Sequence, residues 1–106
     1  MKSYSVKTHK GNARLWLEGN TLQNLGFKYH DRYSVEHFPN DNRIEVMIDP
    51  DGFRKISGRK RAGMDHHLPI IDLCNTATTA TMIGCKQFTI DPSSGDGILI
   101  LQGDPS

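Results

Sequence analysis

The chain carries the same pattern of residues twice, and this internal repeat constrains its fold more than any other feature. Residues 14–48 align with residues 68–101 in four successive blocks that keep their order and chemical type. The aligned blocks are Leu15-Trp16-Leu17-Glu18 with Pro69-Ile70-Ile71-Asp72, Leu25-Gly26-Phe27-Lys28 with Ile83-Gly84-Cys85-Lys86, Tyr33-Ser34-Val35-Glu36 with Phe88-Thr89-Ile90-Asp91, and 44–48 with 98–101. A repeated supersecondary unit of this kind buries its apolar face only against its copy. We therefore expect the two halves to close on each other as one pseudo-symmetric domain.

The length agrees with one domain built from two half-units. A chain of 106 residues is near the commonest domain size. We predict a single domain over residues 1–106, with half-unit 1 at 4–49 and half-unit 2 at 53–102. The Asp49-Pro50-Asp51-Gly52 segment between them is rich in turn formers and too short to act as a flexible linker.

Each half has the pattern strand, strand, short helix, strand, strand. In the first half, alternation predicts strands at 4–8 and 13–18, and Asn20 and Gly26 are residue types that begin and end a helix. Strands at 32–38 and 43–48 flank the turn formers of 39–42 and predict a hairpin. The second half predicts a helix at 75–83, a turn at 92–97 and a strand at 98–101.

The aligned positions also predict the core. The pairs expected to be buried at equivalent sites are Trp16 with Ile70, Phe27 with Cys85, Val35 with Ile90, and Val46 with Ile100. Tyr29 and His30 lie in a polar stretch and are expected to be an exposed pair.

The chain has no sequence feature of a membrane or secreted protein. No apolar run reaches the ~20 residues that a membrane-spanning helix needs, and no leader resembling a signal peptide is present. We therefore expect a cytoplasmic protein, in which Cys74 and Cys85 remain free thiols because their spacing matches no metal or redox motif.

The positive charge of the chain is concentrated in one segment. The formal net charge is only +1, but the residues between Gly52 and Met64 include five cations and no carboxylate. The cations are Arg54, Lys55, Arg59, Lys60 and Arg61, and Ser57 adds a hydroxyl group. We call these six residues the basic strip. Lysine and arginine bind phosphates, and arginine also binds guanine edges, so we predict nucleic-acid or partner binding here. The alternative is a solvated loop that keeps the protein soluble.

Other chemically reactive groups give little indication of catalysis. The neighbouring His66 and His67 point to opposite sides of an extended chain and lack a further ligand at chelating spacing, so we predict no metal site. Glu18 and Asp72 are equivalent in the repeat, and we expect each to cap the helix that follows it. No nucleophile-elbow serine or glycine-rich phosphate loop is present. We therefore predict a protein that is not an enzyme and has no cofactor.

The order of these elements resembles the SpoVT/AbrB-like swapped-hairpin domain family. The residues that carry the resemblance are Leu68-Pro69-Ile70-Ile71-Asp72, Ile83-Gly84, Phe88-Thr89-Ile90-Asp91 and 97–101, with Leu15-Trp16-Leu17-Glu18, Leu25-Gly26-Phe27 and 33–36 in the first copy. Residues 54–61 followed by Pro69-Ile70-Ile71-Asp72-Leu73 also resemble segments found beside bacterial and phage cytosine methyltransferases. The resemblance implies a β-barrel with short helices that forms by exchange of hairpins, and a transcription regulator, antitoxin or SymE-like toxin. Two units in one chain imply a barrel that closes within a monomer.

Two functions remain open from the sequence. The first is a small DNA-binding regulator from a phage or mobile element, acting through the basic strip. The second is a phage-encoded anti-CRISPR or antirestriction protein that docks on a host nucleoprotein effector complex and blocks its nucleic-acid path. A toxin–antitoxin component is a third option. Only the second half has a dense basic segment, which argues against symmetric recognition of an operator by two equal arms.

Overall fold

The computed structural model describes residues 2–105, which form a mainly β fold with two short helices. In chain order the strands are Ser3–Ser5 (β1), Lys7–His9 (β2), Asn12–Glu18 (β3), Arg32–Phe38 (β4), Arg43–Ile48 (β5), Arg54–Lys55 (β6), Ser57–Arg59 (β7), Leu68–Cys74 (β8), Cys85–Ile90 (β9) and Ile98–Pro105 (β10). The helices are Asn20–Asn24 (α1) and Thr76–Thr81 (α2), and a single 3-10 turn covers Pro39–Asp41.

The strands of this part of the chain form two antiparallel sheets. Sheet A has the order β1-β9-β10-β5-β4-β6, and sheet B has the order β2-β3-β8-β7. In sheet B, β3 and β8 pair along their lengths, with Trp16 opposite Asp72. In sheet A, β5 and β10 pair in the same way, with Val46 opposite Leu99. Each sheet is therefore centred on a pairing between the two halves of the chain.

Two bent segments cross from one sheet to the other, and we call them the arms. The first arm, residues 3–9, pairs as β1 with β9 in sheet A and as β2 with β3 in sheet B. The second arm, residues 54–59, pairs as β6 with β4 and as β7 with β8. The bends lie at Val6 and Ile56, whose N–H groups donate to the carbonyls of Lys86 and Asp31, each at 2.8 Å.

The described residues form two sheets and no closed barrel, whereas the sequence predicts one barrel. The reason is visible at the arms. Each arm comes from sheet A and pairs with its neighbour in sheet B for only three residues. The neighbouring strand continues without it, so the ladder on that side ends before the strand does.

The core lies between the two sheets. Leu15, Leu17, Ile71 and Leu73 point inward from sheet B and are at most 3% exposed. They meet a matching set from sheet A, made of Ile44, Val46, Phe88, Leu99 and Leu101, which are fully buried. Burial of apolar surface in this layer is the main stabilising term for a domain of this size.

The helices cover the ends of the core and depend on it, since helices of five and six residues are unstable alone. Helix α2 is shorter than the predicted 75–83, and its N-cap is Asn75, whose side chain accepts a hydrogen bond from the N–H of Thr78 at 2.8 Å. The N-cap of helix α1 is Gly19, one residue before the predicted cap Asn20, and it makes no side-chain cap bond. The φ of +84° at Gly19 makes glycine the natural residue there.

The predicted hairpin is confirmed at its predicted bounds, 32–38 and 43–48. The turn between its strands contains Asn42 in the left-handed conformation, with a φ of +50°. Asparagine tolerates this conformation better than most residues. The predicted turn at 92–97 is likewise present and leads into β10.

Part of the predicted core faces outward. Trp16 and Ile100 are only half-buried, because the side chains of a strand alternate and their neighbours point inward. An apolar run such as Leu15-Trp16-Leu17 does not indicate which of its two faces is buried. Ile70, Phe27 and Cys85 are buried as predicted. Val35 and Ile90 are half-buried and pack against the core.

No helix within residues 2–105 is long and apolar enough to cross a lipid bilayer. This agrees with the sequence, which lacks an apolar run of that length.

Truncation of Leu73 tests the position of the core. Leu73 is fully buried opposite Leu15. We expect Leu73→Ala to lower the free energy of unfolding by about 2–5 kcal/mol, because it removes buried methyl groups and leaves a cavity. The measurement is urea unfolding followed by tryptophan fluorescence. The control is Ile83→Ala at a position that is 71% exposed, where we expect a change within about 0.5 kcal/mol. Equal losses in the two variants would contradict this core.

Candidate nucleic-acid interface

The basic strip lies mainly on strands and not in a solvated loop. Arg54 and Lys55 form β6, and Ser57 and Arg59 belong to β7. Lys60 and Arg61 follow in the connection to β8. The strip therefore covers the second arm and the first residues beyond it, where a backbone paired on one side holds four of the six predicted residues in fixed directions.

Strand alternation sorts these side chains into two sets. Lys55, Ser57 and Arg59 are exposed, whereas Ile56 between them is buried. Ser57 and Arg59 are two apart on β7, so they lie about 6.6 Å apart on the same face, and Lys55 precedes them on the other side of the bend at Ile56. Lys60 and Arg61, just beyond the arm, are also exposed. We call Lys55, Ser57, Arg59, Lys60 and Arg61 the row; it contains four exposed cations.

Ser57 is available to this row. Its hydroxyl donates to the carbonyl of Ile70 at 3.5 Å, which is long for a bond of this type. A hydroxyl held this weakly can rotate toward an incoming phosphate oxygen at little cost.

Arg54 is turned away from the row. It is half-buried and lies directly opposite Tyr33 across the β4–β6 ladder. Burial raises the pKa of the Tyr33 hydroxyl, and the positive charge of Arg54 opposes that shift. Arg54 therefore interacts with Tyr33 where the second arm meets sheet A. It is the one cation of the basic strip that does not belong to the row.

Glu18 lies at the edge of the row and holds one of its cations. The Nη1 atom of Arg59 is 3.8 Å from the Oε2 atom of Glu18, which is an ion pair but too long for a hydrogen bond. That oxygen is buried and has no hydrogen-bond partner. Glu18 therefore lowers the local positive charge without fixing Arg59, whose side chain remains 53% exposed.

The structure adds one cation that sequence reasoning missed. Arg32 is exposed and directly opposite Lys55 in the β4–β6 ladder. Its guanidinium donates to the carbonyl of Gly52 at 3.1 Å, which keeps it beside the second arm. Only the register of β4 against β6 places Arg32 here. No local sequence signal predicts that contact.

Aromatic rings pack against the second arm. The ring of Tyr29 lies between His67, stacked at a centroid distance of 4.2 Å, and His30, tilted at 3.8 Å. A Cβ atom added to Gly58 would be 2.5 Å from the Tyr29 ring. Tyr29 is half-buried rather than exposed as predicted, while His30 is exposed. This packing fixes β7 and the end of the loop that carries Lys60 and Arg61.

The two equivalent carboxylates do not cap helices, contrary to the prediction. Asn75 and Gly19 occupy the cap positions instead. Asp72 receives two hydrogen bonds from Arg14, at 2.9 and 3.0 Å, and this contact raises the pKa of the arginine. Glu18 pairs with Arg59 as described above. Both carboxylates lie on the outer face of sheet B, where alternation directs them away from the helix ends.

Within residues 2–105 no group of three or more histidine, cysteine, aspartate or glutamate side chains is close enough together to hold a metal ion. His66 is exposed and bonds to its neighbour Asp65 at 3.0 Å. Cys74 and Cys85 are both free, as predicted. Burial raises the pKa of the Cys85 thiol, which makes it less reactive.

Comparison with known proteins found no matching family model, no similar curated protein and no similar solved structure.

His37, near Arg54, should make the stability of the protein depend on pH. Burial, with a smaller contribution from the charge of Arg54, lowers the pKa of His37 below its usual 6.5. Just below pH 6.5 the unfolded chain therefore binds a proton that the folded chain does not. We expect the free energy of unfolding to fall as the pH is lowered from 7 through 6.5 toward the folded pKa.

Urea unfolding at pH 7.0 and 5.5 measures this effect. His37→Gln should lose less stability between the two values than the unmodified protein, because it has no group to protonate there. His9→Gln changes an exposed histidine and serves as the control. Equal pH dependence in His37→Gln and the unmodified protein would contradict the assignment.

Proposed function

We propose that this protein is a non-enzymatic DNA-binding regulator of the kind found in phages and mobile elements, and that the outer row of the second arm contacts the phosphate backbone of a duplex. The observation that carries the proposal is the exposure of Lys55, Arg59, Lys60 and Arg61 within one seven-residue segment, on a chain whose net charge is only +1. Phosphate contacts by such side chains supply most of the affinity in non-specific binding to DNA.

The strand pairing supports the swapped-hairpin repeat as the framework of this function. The first arm, from half-unit 1, pairs with β9 of half-unit 2, and the second arm pairs with β4 of half-unit 1. Each half thus gives its arm to the hairpin of the other. The bend residues Val6 and Ile56 make matching bonds to the other half. On this proposal the exchange is completed within one chain, and the protein is a monomer.

The asymmetry of the two arms limits the mode of recognition. Counted from the bends, the residues of the first half that correspond to the row are Ser5, Lys7, His9, Lys10 and Gly11, which include two lysines against four cations in the row. Two equal arms on two half-sites are therefore not expected. A single arm along one stretch of backbone accounts for the charge distribution, with arginine supplying any contact to guanine edges.

A protein partner is the second candidate, and Phe53 favours it. Phe53 precedes the second arm and is fully exposed. An exposed aromatic ring beside a cationic row is typical of a protein contact, since aromatic residues and arginine are enriched in such interfaces. In this case the same surface would occupy the nucleic-acid path of a host effector complex, as an anti-CRISPR or antirestriction protein does.

Removal of three cations from the row tests the DNA proposal. We expect the Arg59→Ala, Lys60→Ala, Arg61→Ala triple variant to remain folded, since these residues are exposed. Its affinity for a labelled 20-base-pair duplex should fall, and the slope of log K against log salt should become shallower by roughly 0.9 for each phosphate that is no longer bound. Fluorescence anisotropy at four salt concentrations measures both.

The control for the change of charge is Lys28→Ala, Lys86→Ala, which removes two exposed cations from outside the strip. The change in its salt slope for each cation removed should be well below that of the triple variant. Absence of salt-dependent duplex binding by the unmodified protein would reject the DNA proposal. In that case, loss of effector capture in Phe53→Ala would support the protein partner.

Neutralisation of Glu18 should strengthen binding. Because Glu18 attracts Arg59 without a hydrogen bond, Glu18→Gln releases the arginine to a phosphate. We expect tighter duplex binding and a salt slope that is steeper by roughly 0.9, the value for one further phosphate. Asp96→Asn makes the same change of net charge at an exposed turn before β10 and should have a smaller effect. Equal effects of both variants would show that only net charge matters.

A further inference from the structure

A cleft lies at the opposite edge of sheet B from the basic strip. It has a volume of about 510 Å³ and opens between the first arm and β3. Its lining is Ser3, Tyr4, Ser5, Lys7, Arg14 and Trp16. β7 of the strip and β2 of the cleft are the two edge strands of sheet B, with β3 and β8 between them.

The cleft exists because the first arm leaves sheet B. The pairing of β2 with β3 ends at Lys7 opposite Arg14, and at Val6 the chain turns to β9. Strand β3 continues for four more residues beside the departing arm. Trp16 points outward on this stretch, and Tyr4 lies on the arm opposite. Both aromatic residues line the gap.

Of the two cations that line the cleft, one is held by hydrogen bonds and the other is exposed. Arg14 is held by two hydrogen bonds to Asp72, and its guanidinium lies 4.8 Å from the centre of the Trp16 ring. Lys7 is exposed and lies directly opposite Arg14. Arg14 thus fixes one face of the indole in place, and Lys7 is the cation best placed to meet a ligand's charge. No carboxylate is among the lining residues.

Tyr4 is likewise held in position. Its ring stacks on Phe88 at a centroid distance of 5.3 Å, and the ammonium group of Lys2 lies 5.2 Å from its centre. The two rings at the cleft are therefore preorganised, which reduces the entropy that a ligand must overcome on binding. Two serine hydroxyls beside them offer donors and acceptors for the edge of a planar ligand.

We propose that this cleft binds an unpaired nucleotide, with its base on the face of Trp16 that Arg14 leaves free, beside Tyr4, and its phosphate on Lys7. Aromatic rings beside cations are the combination that proteins use to bind unpaired nucleotides, since every base has a face that stacks. The volume is within the range of small-ligand sites. A base within a duplex is stacked on its neighbours and does not reach these rings. The ligand is therefore a free nucleotide or a residue of a single strand.

Trp16 makes the site measurable, because it is the only tryptophan of the chain. The protein is titrated with a four-residue single-stranded oligothymidylate, with the abasic oligomer of the same length, and with thymidine monophosphate, while tryptophan fluorescence is recorded. We expect saturable quenching by the oligothymidylate and at least tenfold weaker binding of the abasic oligomer. Quenching by the monophosphate at equal nucleotide concentration identifies a free nucleotide as the ligand, and quenching by the oligomer alone identifies a strand.

Two variants locate the binding. Tyr4→Leu should weaken binding of the oligothymidylate roughly fivefold or more, because it removes one of the two aromatic side chains that line the cleft. Lys7→Gln, at an exposed position, should reduce the salt slope by roughly 0.7. Lys86→Gln removes an exposed cation from β9 and should leave both quantities unchanged. A thermal melt confirms that each variant is folded. If Tyr4→Leu does not fold, Lys7→Gln still tests the site.

The proposal is overturned if no oligonucleotide quenches Trp16 saturably, if the abasic oligomer binds equally well, or if Lys7→Gln and Lys86→Gln behave alike. Equal quenching by a tetraglutamate peptide would also overturn it, in favour of an acidic protein segment. The proposal does not depend on duplex binding by the strip. The Arg59, Lys60, Arg61 triple variant should keep the full fluorescence response, so a failure at one site is distinguishable from a failure at the other.

Discussion

The crossing of the two arms between the sheets is the constraint on which the rest of the structure depends. At Val6 and Ile56 the backbone leaves sheet A and joins sheet B, and at each bend an N–H group bonds to a carbonyl of the other half at 2.8 Å. These crossings link the two sheets along both edges and enclose the core between them. They also create both candidate sites. The second arm displays the basic strip, and the departure of the first arm opens the cleft beside Trp16.

Charge on the outer face of sheet B is arranged in local pairs. Asp72 holds Arg14, and Glu18 attracts Arg59, so each central carboxylate faces a guanidinium. Exposed pairs of this kind add little to stability, and their value here is positional. The bidentate contact fixes Arg14 over the Trp16 ring, whereas the longer contact leaves Arg59 exposed. The same sheet therefore has one arginine that shapes a cleft and one that is free for a ligand.

The sequence predicts the local elements of this fold better than their faces and partners. The hairpin at 32–38 and 43–48 was predictable at its bounds because strong turn formers separate two alternating runs. The outward position of Trp16 was not predictable, because Leu15-Trp16-Leu17 is apolar on both faces of the strand. The contact of Arg32 with the second arm depends on the register of β4 and β6, which are far apart in the chain. Likewise, the basic strip was identified from its composition, but its strand geometry and the separation of Arg54 from the row come only from tertiary pairing.

The central claim is that both arms cross between sheets within one chain, and the mass of the protein in solution tests it most directly. Exchange of arms between two chains would produce the same pairings in a dimer, so the two arrangements differ in mass and not in local structure. Sedimentation equilibrium between 1 and 100 µM should give a single species of 11.9 kDa at every concentration. A stable species of twice that mass, which dissociates only on unfolding, would contradict the account and place the crossings between chains.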